Sequence, residues 1–286
     1  MSRLFPYSRH TAELLADPPA AGQGRHIWIF RVASGLLKSF KADFVQRFLC
    51  RLAEEYGWTD RDFESEIVEA VAKIESNLPI EPSIKWPDQD DDERRRRAQT
   101  TPLFQPTPTG LTAEDVLPRL YKPDELVCIA PDPFHAITQP LAAVLPVASA
   151  MAYIVANPMR ASTGKTALGR ESARSLDNAC TLEDRRYLIV EFDQGEPLED
   201  QAAVLSSLNM AFMPLVMAVY SGGKSIHGWF SARKLPAFLK QRFFELAVYI
   251  GADRSLWDRS KLVRMPGGRR ENGKRQDILY FNPEVL

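Results

Sequence analysis

The sequence predicts an α+β protein in two parts: a small all-helical domain over residues 1–78 and a larger mixed domain over 111–286. Three observations carry this reading. Apolar residues between positions 25 and 75 recur at helical spacing. A proline-rich, charged stretch over 79–110 then breaks the periodicity. Beyond it, short apolar runs of strand character alternate with helical segments, the pattern of a mixed domain built around a largely antiparallel sheet.

In the first part, Phe44, Val45, Phe48, Leu49 and Leu52 fall on one helical face, and Phe63, Ile67, Val68, Val71 and Ile74 on another. Gly57 separates the two runs, and Thr59 or Asp60 suits the N-cap of the second. A compact unit of about three helices is the simplest outcome. The stretch 79–110 holds six prolines, the acids Asp88, Asp90, Asp91, Asp92 and Glu93, and then Arg94 to Arg97. It buries too little apolar surface to offset its chain entropy, so an extended or disordered linker is expected. In the second part, 153–156, 187–192, 215–220, 226–230 and 278–281 read as strands. Leu235, Phe238, Leu239, Phe243, Leu246 and Ile250 mark an amphipathic helix that Gly251 ends.

Composition bounds the function less than distribution does. With 36 Lys+Arg against 37 Asp+Glu, the net charge of −1 gives no overall attraction to nucleic acid. Residues 259–275, however, carry seven basic side chains and one acid, Glu271, which suits an anionic ligand or a solvated basic loop. Cys50, Cys128 and Cys180 are isolated, with no CxxC, which disfavours structural zinc and a disulfide framework and favours a reducing compartment. The first thirty residues lack a continuous apolar core. The apolar stretch 141–155 is shorter than the roughly 20 residues a bilayer span needs, and Pro146 interrupts it. No membrane association and a cytoplasmic location are therefore expected.

Three segments carry chemistry. In Tyr187-Leu188-Ile189-Val190-Glu191-Phe192-Asp193, the two acids are two apart on a strand and project from one face. Such a pair repels itself unless a cation lies between, and hard Mg²⁺ or Mn²⁺ suits carboxylate and phosphate oxygens; the alternative is a strand end whose acids face water. Ser221-Gly222-Gly223-Lys224-Ser225-Ile226-His227 lies between two strands, with glycines where backbone can approach a ligand and with Ser225 and His227 on one face. In 251–270, Asp253 follows a helix and Arg264 precedes a Pro266-Gly267-Gly268 turn, an acid for metal and a forked cation for phosphate. Ser162-Thr163-Gly164-Lys165-Thr166 imitates the end of a phosphate loop, but Met159 stands where that motif needs glycine.

Together these segments resemble the archaeo-eukaryotic primase superfamily: a carboxylate pair on one strand (Glu191-Phe192-Asp193), a Ser-x-His motif on another (Ser225-Ile226-His227) and a later acid, Asp253, with Asp258 as its competitor. The resemblance is closest to primase-polymerases of bacterial mobile elements and phages, which carry a similar Ser-Gly-Gly-Lys-Ser-x-His and a similar Arg-x-Pro-Gly, here at Arg264 to Gly267. It covers roughly 111–286. The first acid is Glu where many relatives have Asp. Asn157-Pro158-Met159, the loop to Thr166, and Ser172, Arg174 and Asn178 also look like the mobile-element proteins, in which such residues close over the nucleotide. The helical unit is more loosely similar to their accessory domains, around Gly24-Arg25-His26 and Leu36.

The resemblance implies a primase-polymerase core, an αβ unit plus an RRM-like sheet, that joins nucleoside triphosphates on a single-stranded DNA template. Glu191, Asp193 and Asp253 would be catalytic and would bind two Mg²⁺ or Mn²⁺ ions. Ser221, Lys224, Ser225, His227, Arg264, Arg174 and Asn157 would hold the nucleotide, and Arg269, Arg270, Lys274 and Arg275 would follow template phosphates. The chain has no helicase motif, so unwinding is expected from a replicative helicase partner or from sequence beyond this chain. A gap-filling or end-joining polymerase of the same superfamily, or a non-catalytic replication initiator, are the alternatives.

Overall fold

The computed structural model describes residues 9–19, 24–37, 40, 42–58, 63–77, 84–166, 169–192 and 195–286. It is an α+β protein whose sheets are antiparallel. Contacts divide it into two units, residues 1–84 with 166–170, and 85–165 with 171–286.

The first unit is helical: α1 (Arg9–Ala16), α2 (Arg25–Leu36), α3 (Ala42–Glu55) and α4 (Phe63–Asn77). Its core takes Ile29, Val32 and Leu36 from α2, Val45 and Leu49 from α3, and Ile67, Val71 and Ile74 from α4, spaced by three and four residues as one helical face requires. Phe44 and Val68, expected on those faces, are about half exposed instead. Each adjoins a buried neighbour, Val45 or Ile67, and a helix turns about 100° per residue, so one of two consecutive positions leaves the core. Phe44 stacks on Phe40 and Phe48, with centroids at 4.8 and 6.1 Å. The expected caps Thr59 and Asp60 lie outside the described residues.

The second unit corrects the linker expectation. Residues 85–110 belong to it, and they include a helix, α5 (Asp91–Ala98). Asp90 caps α5 by accepting the Glu93 amide at 2.9 Å; three acids fill its first turn and arginines its last, which suits the helix dipole. Arg94 is buried, with Nε 2.9 Å from Glu196 Oε1. Its Nη1 lies 3.0 Å from Asp91 Oδ1 but without hydrogen-bond geometry. Trp86 packs between Phe244 and Trp257, Phe104 against Tyr280, and Thr109 donates twice to the Ile278 carbonyl. Two aromatic anchors and a self-paired charged helix supply the burial that net composition concealed.

After α6 (Ala113–Leu120) come β1 (Leu126–Ala130), β2 (Ile137–Pro140), the short α7 (Leu141–Val144) and β3 (Tyr153–Val155). A hairpin, β4 (Gly164–Lys165) and β5 (Glu171–Ser172), leads to β6 (Tyr187–Glu191) and α8 (Leu198–Ser207). β7 (Leu215–Tyr220), β8 (Ile226–Ser231), α9 (Ala237–Tyr249), β9 (Leu262–Arg264) and β10 (Ile278–Phe281) complete the chain. One antiparallel sheet has the order β2-β1-β3-β9, and another β10-β7-β8-β6. The second carries helices on one face: Phe230 meets Phe243 of α9 at 5.0 Å, and a Cβ on Gly228 would stand 2.6 Å from Leu205 of α8. Its opposite face carries Glu191 and His227, with Ser225 just before β8. On α9, Phe238 is exposed and the buried positions are Lys240, Phe243, Phe244, Ala247 and Val248. The buried stripe differs from the expected one: Phe244 packs against Trp86 and Trp257, and Lys240 turns inward and donates to the Leu182 and Glu183 carbonyls at 3.0 and 2.6 Å. Among the described residues no helix is long and apolar enough to cross a membrane.

Candidate active site

Glu191 ends β6 directly opposite His227 of β8, and Ser225 lies two residues before His227 on the same face. Ser225 Oγ donates to Glu191 Oε1 at 2.5 Å, and His227 Nε2 lies 3.3 Å from the same oxygen. Burial works against the charged carboxylate. The attraction of His227, hydrogen bonds from His227 and Ser225, and the more distant Arg264 outweigh it, and the pKa falls from 4.5 to about 2. Glu191 is thus a partly buried carboxylate held ionised through one oxygen. Among the described residues Oε2 accepts no hydrogen bond, and His227 Nδ1 is buried without a partner.

The turn before His227 is held from three sides. Ser221 N–H donates to the Ser225 carbonyl at 2.8 Å, the Ser225 amide donates to Ser221 Oγ at 3.2 Å, and the two hydroxyl oxygens lie 3.1 Å apart. Gln201 of α8 clamps the far side, donating to the Lys224 carbonyl at 2.8 Å and accepting from the Ile226 amide at 2.9 Å. Gly222 has φ +70°, and a Cβ there would meet the Arg275 carbonyl at 2.7 Å, so both conformation and space require glycine. Arg270 lies against Gly223, and both Gly223 and Lys224 are exposed at the tip.

Asp253 is brought to the end of β6 by its backbone: its amide donates to the Glu191 carbonyl at 3.0 Å. Its carboxylate accepts from the Ser255 amide and hydroxyl at 2.8 and 2.6 Å, capping the 3-10 turn Arg254–Trp257. Buried Arg185 locks that turn, donating to the Leu256 and Trp257 carbonyls and lying over the Trp257 ring. Asp258 caps the next bend through Ser260. Of the two, Asp253 is the one tethered to Glu191. Asp193 lies outside the described residues. Among the described residues no group of three or more His, Cys, Asp or Glu is placed around a metal position. The donors at hand, an ionised carboxylate with an unbonded oxygen and a second acid on the adjoining turn, are of the hard type that Mg²⁺ or Mn²⁺ takes.

Arg264 pairs across strands with Tyr153 and lies over its ring at 4.6 Å, a cation–π seat that fixes the guanidinium. Asn157 turns elsewhere. It is buried, accepts from the Arg186 and Tyr187 amides at 2.7 and 2.9 Å and donates to the Tyr187 carbonyl at 3.0 Å, so its side chain anchors the start of β6. Arg174 donates to the Ser260 carbonyl at 3.1 Å. Asn178 ties Ser175 to the carbonyls of Ala161 and Ala173. The basic strip is a hairpin in which Arg269 bridges Arg275. Arg269, Lys274 and Arg275 are exposed, and Arg275 lies 3.2 Å from Asp277.

Sequence reasoning missed Gln201 and Tyr153. A glutamine on a helix carries no signal of its clamp, and the Tyr153–Arg264 pair exists only once β3 and β9 are in register. Compared with known proteins, the chain matches no family model, and no curated sequence or solved structure matches it at a significant level.

Proposed function

We propose that the chain is a template-dependent nucleotidyl transferase that builds primers on single-stranded DNA from nucleoside triphosphates. One observation carries the reading: Glu191 is kept ionised opposite His227, on the face it shares with Ser225, beside a Gly-Gly turn. This supports the order of the primase-like motifs, and a strand end whose acid merely faces water does not need a partly buried carboxylate bound by two donors.

In this account Ser225 and His227 hold Oε1 and so aim the other oxygen of Glu191 outward. Asp253, tied to the Glu191 carbonyl, and Asp193, two residues beyond Glu191, complete the acidic set. Held by these acids, two Mg²⁺ or Mn²⁺ ions would lower the pKa of the attacking hydroxyl and neutralise the triphosphate. Lys224 at the turn and Arg264 on its tyrosine seat are the fixed cations for triphosphate oxygens, where charge grows as pyrophosphate leaves. The nucleotide's α-phosphorus gains a bond to the 3′-oxygen and loses its bond to pyrophosphate, with the hydroxyl proton passing to solvent. The hairpin 269–275 is the basic surface for template phosphates, and strand separation falls to a helicase.

Calorimetric titration of Mn²⁺ with and without a nucleoside triphosphate tests the site. The wild-type chain is expected to bind ion and nucleotide cooperatively, and Glu191→Gln to lose the coupling. Absence of coupling in the wild type would reject the reading in favour of a binding module.

A further inference from the structure

An open cleft of about 720 Å³ lies on the larger unit between a loop that has no part in the proposed chemistry and the basic hairpin proposed to follow template phosphates. One wall is the β1–β2 loop, with Pro131, Pro133, Phe134 and His135; the other is the basic hairpin, with Arg269 and Arg270. Phe134 is 88% exposed, the most exposed of the large apolar side chains described. It is presented by a built turn. Asp132 Oδ1 accepts the amides of Phe134 and His135 at 2.8 and 3.1 Å, while Oδ2 lies 2.6 Å from His135 Nδ1. The Asp132 carboxylate is thereby occupied within its own loop, and its pKa is lowered by the His135 contact and the Phe134 amide.

The facing hairpin is built as well. Its strands meet at the Arg269–Arg275 bridge, and Gly273, at φ +79°, makes the turn. Four of its side chains are basic and one, Glu271, is acidic. Arg270 spans from the cleft to the candidate site: its side chain lines the one and packs on Gly222 and Gly223 of the other, with Nη1 3.4 Å from the Ser221 carbonyl.

An exposed aromatic ring opposite arginines is the combination that holds unpaired bases, because every base has a π-face and every nucleotide a phosphate. Duplex DNA would not use the ring, since its bases are already stacked. We propose that this cleft seats a single-stranded stretch of nucleic acid, one base stacked on Phe134 and the backbone held by Arg269 and Arg270, and that Arg270 leads the strand to the Gly-Gly turn. The assignment rests on reading the chain as a template-dependent enzyme and names where the template lies beside the site.

Anisotropy of a labelled oligothymidylate, measured across a salt series with the full chain, tests it. Phe134→Ala should weaken binding about five- to 150-fold and leave the salt slope unchanged, because no phosphate contact is lost. Phe134→Leu should bind as poorly as Phe134→Ala, and Phe134→Trp should restore affinity, with its fluorescence quenched on binding. Arg269→Ala should lower the slope by about one unit. Phe134 is exposed, so these substitutions do not threaten folding. Unaltered affinity in Phe134→Ala, restoration by Leu, preference for duplex, or no binding of oligothymidylate by the wild type would each overturn the proposal. Coupled Mn²⁺ and nucleotide binding, measured on the same preparations, should be unaffected by Phe134→Ala. Loss of that coupling in the wild type with the Phe134 effect intact would refute the enzymatic reading and leave the stacking site standing.

Discussion

Replacing Glu191 with Gln tests the electrostatics of the site without a ligand. Glutamine keeps the shape and can accept from Ser225, but it loses the attraction to His227 and Arg264. The folded-state pKa of Glu191 lies near 2, below its ordinary 4.5, so the native state favours the charged form. That contribution is fully present above pH 4.5 and is lost as the pH falls towards 2. A depression of this size corresponds to about 3 kcal/mol at pH 5 and roughly half of that at pH 3, an upper figure for a group that is not wholly buried. Urea unfolding of wild type and Glu191→Gln at both pH values, with chelator present, measures the difference directly. The stability gap should shrink by about 1.5 kcal/mol or more on going to pH 3. A gap independent of pH would refute the claim that His227 and Ser225 hold this carboxylate ionised.

Two further outcomes follow from the packing. A fragment of residues 85–286 should be soluble and unfold cooperatively, whereas 111–286 should not, because it lacks Trp86, Arg94 and Phe104; equal behaviour in circular-dichroism melts would restore the boundary to residue 110. Asn157→Ala removes three buried backbone contacts worth about 1 kcal/mol each, so its urea midpoint should fall sharply while any residual folded protein binds nucleotide normally. Wild-type stability with lost nucleotide affinity would return Asn157 to the nucleotide site.

Strands were legible where apolar β-formers ran unbroken, as in Tyr187–Glu191, Leu215–Tyr220 and Ile278–Phe281. Leu262–Arg264, a short strand inside a charged segment, has no such run, and its identity comes from pairing with Tyr153–Val155. The segment 85–110 misled because its charges look solvated when counted along the chain, whereas Arg94 finds Glu196 and Trp86 finds Trp257 only in three dimensions. In the site, side chains two apart on strands were placed by the pleat alone, which is why Ser225 and His227 were foreseeable on one face. The commitment of Asn157 to the backbone of residues 186 and 187 was not, since an asparagine side chain serves backbone or ligand equally well in sequence.

The central proposal is that this chain joins nucleotides under the direction of a single-stranded template through Glu191, Asp193 and Asp253. Incubating the full chain with single-stranded circular DNA, Mn²⁺ and nucleoside triphosphates, with and without an annealed primer, tests it most directly. Incorporation complementary to the template is expected from the wild type, and none from Glu191→Gln or Asp193→Ala, both still folded. Undetectable synthesis by the wild type in either format, or undiminished synthesis by both variants, would contradict it.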